Sequence, residues 1–149
     1  MALKNNTVLV GCDHAGYGLK EYLKEELQKL GYTVKDIGTY SEERCDYPDF
    51  IHPLAKQIDE EEELMGIVIC GSGNGACMTA NKHQHVRAAL CWNDEIARLA
   101  RLHNNANVIG LPARFIEREE ALNMVKIFLK TEFEGGRHIG RVQKIAIPK

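Results

Sequence analysis

The chain has 149 residues, 44% of them hydrophobic and 27% charged, with a formal net charge of −2. At that length roughly 70% of the unfolded surface can be buried, so one domain with a full core is expected without disulfide or metal staples. The near-balanced charge excludes a general pull on nucleic acid or anionic membrane, so any anion must be held by a local cluster. Five cysteines, Cys12, Cys45, Cys70, Cys77 and Cys91, are odd in number and contain no C-x-x-C. They fit neither a disulfide framework nor a zinc knuckle. No apolar run approaches membrane-spanning length, and MALKNNTVLV carries no signal-peptide core, so a cytoplasmic setting is expected.

The first predicted element is a strand, the β-branched run TVLVGC at 7–12. YGLKEYLKEELQKLG then places Leu19, Leu23, Leu27 and Leu30 at helical spacing, with Gly31 as a stop. YTVKDIG (32–38) reads as the second strand, and TYSEERCDYPD as a polar loop. Ile51, Leu54, Ala55 and Ile58 mark a second helix, whose acidic end at 59–63 reads as a solvated face. GIVIC (66–70) is the third strand, and a glycine loop leads from it into another helix. VRAALC (86–91) is the fourth strand, after which Asn93 and Asp94 can cap a helix carrying Ile96, Leu99 and Ala100. ANVIGL (106–111) is the fifth strand, followed by a helix with Leu122, Val125 and Leu129 on one side. Past Glu134-Gly-Gly, residues 137–147 read as a terminal helix, and its apolar Ile145 and Ile147 suggest packing on a second subunit. Short apolar strands alternating with amphipathic helices imply a parallel sheet covered on both faces. Ligands of such folds bind outside the carboxyl ends of the strands. That places GCDHAG (11–16), CGSGNG (70–75) and the segment after the fourth or fifth strand together as candidates.

Gly71-Ser-Gly73-Asn-Gly75-Ala76 satisfies G-x-G-x-x-G/A, with Asp94 about 20 residues on. The dinucleotide reading is weak, because only two strands follow and little chain remains for a substrate domain. The Walker pattern fails for want of Gly-Lys-Ser/Thr. A simpler use is a turn of backbone N–H groups that binds a phosphate or an oxyanion formed during reaction. Cys70 stands at its mouth, either as a buried strand end or as a thiolate usable as base or nucleophile. Asp13 can bind sugar hydroxyls or cap the helix beginning near Tyr17. His14 can meet a phosphate or move a proton. His103, beside Asn104, reads from position alone as a helix-end cation. His83 and His85 lack a carboxylate or thiol at ligand spacing and read as surface histidines. Arg137 and Arg141 share one helical face, His138 lies three before Arg141, and Arg114 follows the fifth strand. Clustered guanidiniums suit a phosphate. A thiol base, an oxyanion loop, a histidine acid and a phosphate clamp are equipment for moving a proton beside a carbonyl of a phosphorylated small molecule.

GCDHAG, DIGTYSEERCDYPDF, ICGSGNG with ANK, RLHNNANVIG and EGGRHIGRV together resemble the ribose-5-phosphate isomerase type B family, which also holds isomerases for allose and galactose phosphates. The resemblance runs from residue 8 to about 145. It implies an α/β fold, a Rossmann-like three-layer α/β/α sandwich with a five-stranded parallel sheet, spanning 1–149 as one sugar-phosphate isomerase domain. It implies an aldose–ketose isomerase of the pentose phosphate pathway, working through a cis-enediolate without metal or organic cofactor. Members form dimers or tetramers with sites at the dimer interface. By motif match Cys70 is the base between C1 and C2. Gly71, Gly73, Asn74 and Gly75 supply the cradle for the enediolate, with Ser72 assisting, and His103 opens the furanose ring. Asp13, His14 and Asn104 hold the sugar, and Tyr47 lines the pocket. Arg114, Arg137 and Arg141, with His138 near them, take the phosphate. The family also has a pattern in which the base is a glutamate after Gly-Ser-Gly-Asn-Gly; here that position is Ala76, which leaves Cys70 as the base from either pattern. The alternatives are a six-carbon sugar phosphate as substrate, or a non-catalytic module that binds a sugar phosphate or nucleotide.

Overall fold

The computed structural model describes residues 3–149. Five strands, β1 (Thr7–Cys12), β2 (Thr33–Gly38), β3 (Met65–Cys70), β4 (Ala88–Leu90) and β5 (Val108–Pro112), form one all-parallel sheet in the order β2-β1-β3-β5-β4. The helices are α1 (Tyr17–Lys29), α2 (Pro48–Glu60), α3 (Asn74–Ala80), α4 (Asp94–Leu102), α5 (Arg118–Lys130) and α6 (His138–Gln143). No helix among the described residues is long and apolar enough to cross a membrane.

Strand side chains alternate between two cores, as the period of two requires. Val8, Val10 and Cys12 of β1 and Met65, Ile67 and Ile69 of β3 pack under α1, α4 and α5. Leu9, Val68 and Cys70 point to the other face, under α2 and α3. The layers are therefore helix, sheet, helix. The α2–α3 layer sits close to the strands because glycines face it. A Cβ at Gly110 would lie 2.1 Å from Cys77 Sγ, and one at Gly66 would lie 2.5 Å from Ile58 Cδ1.

Strands β2 and β3 lie within one residue of the sequence reading, and three elements depart further from it. The fourth strand, expected over 86–91, spans Ala88–Leu90. It is a sheet edge paired with β5 alone, and Val86 is instead turned back by its N–H bond to His83 O. The fifth strand starts at Val108 rather than 106, because the Ala106 N–H closes back onto Ala100 O. The terminal helix, expected over 137–147, stops at Gln143. Beyond it the Gln84 side-chain amide takes both main-chain groups of Ile147, donating to its oxygen at 2.6 Å and accepting from its N–H at 3.1 Å.

In α1 the expected inward row also changes: Leu30 is exposed, whereas Lys20 is completely buried. The Lys20 ammonium donates to Asp36 at 2.5 Å and Glu21 at 2.9 Å, and lies over the Tyr17 and Tyr40 rings. Burial alone would push a proton onto Asp36. The bonds from Lys20, Lys24 and the Gly38 N–H outweigh it and hold the carboxyl below its ordinary range. The pair pins the end of β2, from which the 39–47 loop departs.

Gly110→Ala is expected to destabilise the chain by about 1–3 kcal/mol through overpacking, read as a lower urea midpoint. Adding Cys77→Ala, which removes the sulfur it strikes, is expected to recover most of that loss. Simple additivity of the two changes would show that the contact is not the cause.

Candidate active site

The strand order reverses around β1 and β3, so the crevice outside their carboxyl ends is the expected ligand position. Asp13 leaves β1 there with its N–H bonded to Ile69 O at 3.3 Å, which sets it beside Cys70. Its carboxylate Oδ1 accepts the N–H groups of Ala15 and Gly16 at 3.0 and 3.3 Å. Asp13 thus caps the 3-10 turn His14–Gly16 that precedes α1, rather than α1 itself. His14 Nδ1 accepts the Cys45 N–H at 3.2 Å. An accepting nitrogen carries no hydrogen, so the ring's proton is on Nε2.

Cys70 ends β3 and is 5% exposed. Burial pushes the thiols of Cys12, Cys77 and Cys91 up to about 12, which removes them as bases near neutral pH. After Cys70 the chain turns at once. Ala113 N–H donates to Cys70 O and Arg114 N–H to Gly71 O, both at 3.0 Å. The Arg114 guanidinium lies over the turn, since a Cβ on Gly71 would be 3.1 Å from its Nη1. Gly73 has φ +79°, in the left-handed region that favours glycine, and a Cβ there would also strike Leu90 Cδ1 at 2.4 Å. Ser72 Oγ accepts the Asn74 N–H at 3.3 Å. Tyr47, preceding α2, covers Gly75 so closely that a Cβ would lie 2.4 Å from its ring. With only seven residues in α3, the anion-attracting features here are the turn's own N–H groups and Arg114. Asp13, His14, Tyr47, Cys70, Gly71–Gly75 and Arg114 therefore share one end of the sheet.

His103, Asn104, Arg137, His138 and Arg141 do not join them. His103 closes the C-terminal end of α4, immediately before the chain enters β5. That is the amino end of the parallel strands, and β5 alone spans about 17 Å between the two ends. The terminal segment is tied to the same end: Glu134 N–H donates to Leu102 O at 3.0 Å. The His138 ring stacks on His103 with centroids 4.4 Å apart and planes 14° from parallel. His138 is buried, while Arg137 and Arg141 are exposed. Burial first, then His103 and the nearby Arg137, depress the affinity of His138 for a proton.

Two features had little signal in the sequence. Glu134 Oε2 lies 3.6 Å from His103 Nε2 and 3.4 Å from His138 Nε2. These three residues are the described cluster with the composition of a metal site, their ligand atoms lying within 4.8 Å of one another. Stacked rings do not suit that use, because an ion lies in the plane of each imidazole it binds and near-parallel planes do not meet at one. His83 is half-buried and its Nε2 lies 2.8 Å from His52 Nδ1, while exposed His85 bonds Asp59. These pairs join α2 to the segment before β4, and Asp59 is thereby engaged rather than merely solvated.

The family model for Ribose/Galactose Isomerase matches residues 8–145. A probable ribose-5-phosphate isomerase B of Mycoplasma genitalium is 42% identical over 140 residues, 93% of this chain and 92% of the relative. The ribose-5-phosphate isomerase B of Escherichia coli is 39% identical, covering 93% of each chain. Among solved structures, the Thermotoga maritima ribose 5-phosphate isomerase superposes with a TM-score of 0.91 at 46% identity, over 94% of this chain and 97% of that one. The Mycoplasma genitalium ribose-5-phosphate isomerase B, solved with bound ribulose-5-phosphate, gives a TM-score of 0.90 at 42% identity over 93% of each. With a three-layer parallel fold, a thiol beside a glycine turn and a match along nearly its whole length, this chain belongs to the ribose/galactose isomerase family.

Proposed function

We propose that the protein interconverts ribose 5-phosphate and ribulose 5-phosphate, in a site assembled from the carboxyl-end half of one chain and the amino-end half of a second copy. The observation that carries this reading is the separation of the two groups by the length of the sheet. The residues matching the family's motifs fall into two sets, and each lacks what the other holds. One set has a base and an oxyanion cradle. The other has a histidine and two exposed guanidiniums. A symmetric pair of chains brings unlike ends together twice and completes two equal sites. The Mycoplasma genitalium relative solved with ribulose-5-phosphate supports the substrate class.

The chemistry follows from the residues. His103 of one chain opens the furanose by moving a proton from the C1 hydroxyl to the ring oxygen. Cys70 of the other, as thiolate, removes the proton from C2 of the open aldehyde. Negative charge moves to the C1 oxygen, where N–H groups of the Gly71–Gly75 turn receive it. The O2 hydroxyl proton passes to the C1 oxygen, the electron pair left on O2 forms the C2 carbonyl, and the C1–C2 π pair takes the proton back from the thiol at C1, leaving the ketone at C2. Ala76, fully buried, cannot take the base's place. Asp13, Asn104 and the Nε2–H of His14 hold sugar oxygens, and Tyr47 walls the pocket. Arg114 comes from the thiol half, and Arg137 and Arg141 from the partner's half, to bind phosphate with paired donors. His138 lies under His103 in this arrangement and is not a direct phosphate ligand.

Cys70→Ala is expected to lower turnover of ribose 5-phosphate by about 10²–10⁴-fold, the usual scale for a lost acid–base group. Near wild-type turnover would remove the thiol from the reaction. Allose 6-phosphate turned over in place of ribose 5-phosphate would keep the mechanism and change the substrate. For His103→Ala the defect should be large on cyclic ribose 5-phosphate. Exchange of the C1 hydrogen of ribulose 5-phosphate with D₂O should be retained. The phosphate on O5 leaves that ketone no hydroxyl with which to close a five-membered ring, so it needs no opening. Equal defects in both assays would count against ring opening by His103.

Mixing tests the shared site directly. In a pair containing one Cys70→Ala chain and one His103→Ala chain, one site carries both lesions and the other carries none. Random reassembly of the two inactive variants should restore about a quarter of wild-type activity. No recovery, with mixed pairs demonstrated by mass, would show that each site lies within one chain.

A further inference from the structure

Ring opening by His103 leaves one group at the amino end of the sheet without a task. Glu134 is held there by its own N–H bond to Leu102 O, and the turn that follows it, closed by His138 N–H to Gly135 O at 3.1 Å, carries His138. Its Oε2 stands 3.6 Å from His103 Nε2 and 3.4 Å from His138 Nε2. The two rings are not equivalent. The His138 side chain is 8% exposed and that of His103 34% exposed. His138 Nε2 is buried and makes no hydrogen bond. Two charges on rings stacked 4.4 Å apart would repel. His103 is therefore the ring open to a substrate, with a carboxylate beside it.

We propose that Glu134 is a positioning residue for His103, its carboxylate steadying the imidazolium that His103 becomes during ring opening while neutral His138 braces the ring from behind. The inference rests on the ring-opening role assigned to His103 above. In that step the C1 hydroxyl gives its proton to His103, and the released O–H pair becomes the second bond of the C1 carbonyl. The C1–O4 pair moves to O4, which then receives the proton back from His103. The ring is charged only between the two transfers, and that is when Glu134 acts. The other charged groups facing the pair are Arg137 just before α6, Arg141 on α6 and Glu95 on α4. Glu95 is engaged by Arg98 at 2.6 Å. The two guanidiniums oppose charge on the rings, and bound phosphate offsets them. Glu134 is the carboxylate that touches both rings.

Glu134→Gln keeps the shape and removes the charge. Turnover of ribose 5-phosphate should fall on the order of tenfold. The acid limb of its pH–rate profile should move to lower pH, because an imidazolium without its carboxylate gives up its proton more readily. C1 exchange in ribulose 5-phosphate, which bypasses the ring, should stay within about twofold of wild type. Glu134→Asp should recover part of the turnover and return the acid limb towards its wild-type position. An unmoved pH profile, or equal losses in both assays, would overturn the proposal and leave Glu134 a purely structural tie. A wild-type chain with no action on ribose 5-phosphate would overturn the isomerase reading itself, and this inference with it.

Discussion

A parallel sheet has two chemically different ends, and every other feature of this molecule is arranged around that fact. Each strand enters at one end and leaves at the other, and each helix carries the chain back. Turns after strands therefore collect at one end, and turns after helices at the other. Cys70 ends a strand, and Asp13 and Arg114 follow strands. His103 follows a helix, and the His138 segment is tied to it. No side-chain rotation can bring the two sets together within one chain.

Close packing makes the thiol end a shaped surface. The α2–α3 layer reaches the strands only because Gly66 and Gly110 offer no side chain. That approach seats α3 directly behind the glycine turn and brings Tyr47 onto Gly75. On the opposite side of β1, the buried Lys20–Asp36 pair fixes where β2 ends. Thr39 N–H then bonds Cys12 O at 2.8 Å, so the loop carrying Cys45 and Tyr47 departs from a fixed point. Removing one partner of such a buried pair costs more than the pair itself contributes, because the other charge is left without compensation. The loop that carries Tyr47 is thus anchored one strand away from Cys70.

The charge distribution is local rather than global. A chain of net charge −2 carries exposed Arg137 and Arg141 at one end and Arg114 over the glycine turn at the other. Local cations on a nearly neutral chain suit the dianionic substrate proposed above, because attraction is then confined to the arginines rather than spread over the whole surface. The buried thiols follow the same economy. Cys12, Cys77 and Cys91 serve as small core residues, and burial holds them protonated.

The sequence by itself determined the layer order and the residues of the thiol half. Alternating apolar runs and 3.6-residue stripes are local patterns, and they mark β1, β3, α2 and α5 closely. The glycine turn behind Cys70 is legible for the same reason, since a left-handed Gly73 needs a residue without a side chain. Edge strand β4 and the end of α6 were less legible, because pairing on one side only and a side-chain clamp from Gln84 are decided by distant residues. Lys20 lies outside the leucine row read from the sequence, and its meeting with Asp36, sixteen residues on, is what allows its burial. The partition of the candidate residues between two ends was also decided by tertiary structure. Spacing along a chain says which residues share a helix face. Only strand direction says which end of the sheet each one reaches. Glu134 had no signal beyond a glutamate before two glycines, and it became visible when the backbone bond to Leu102 set it beside two stacked rings.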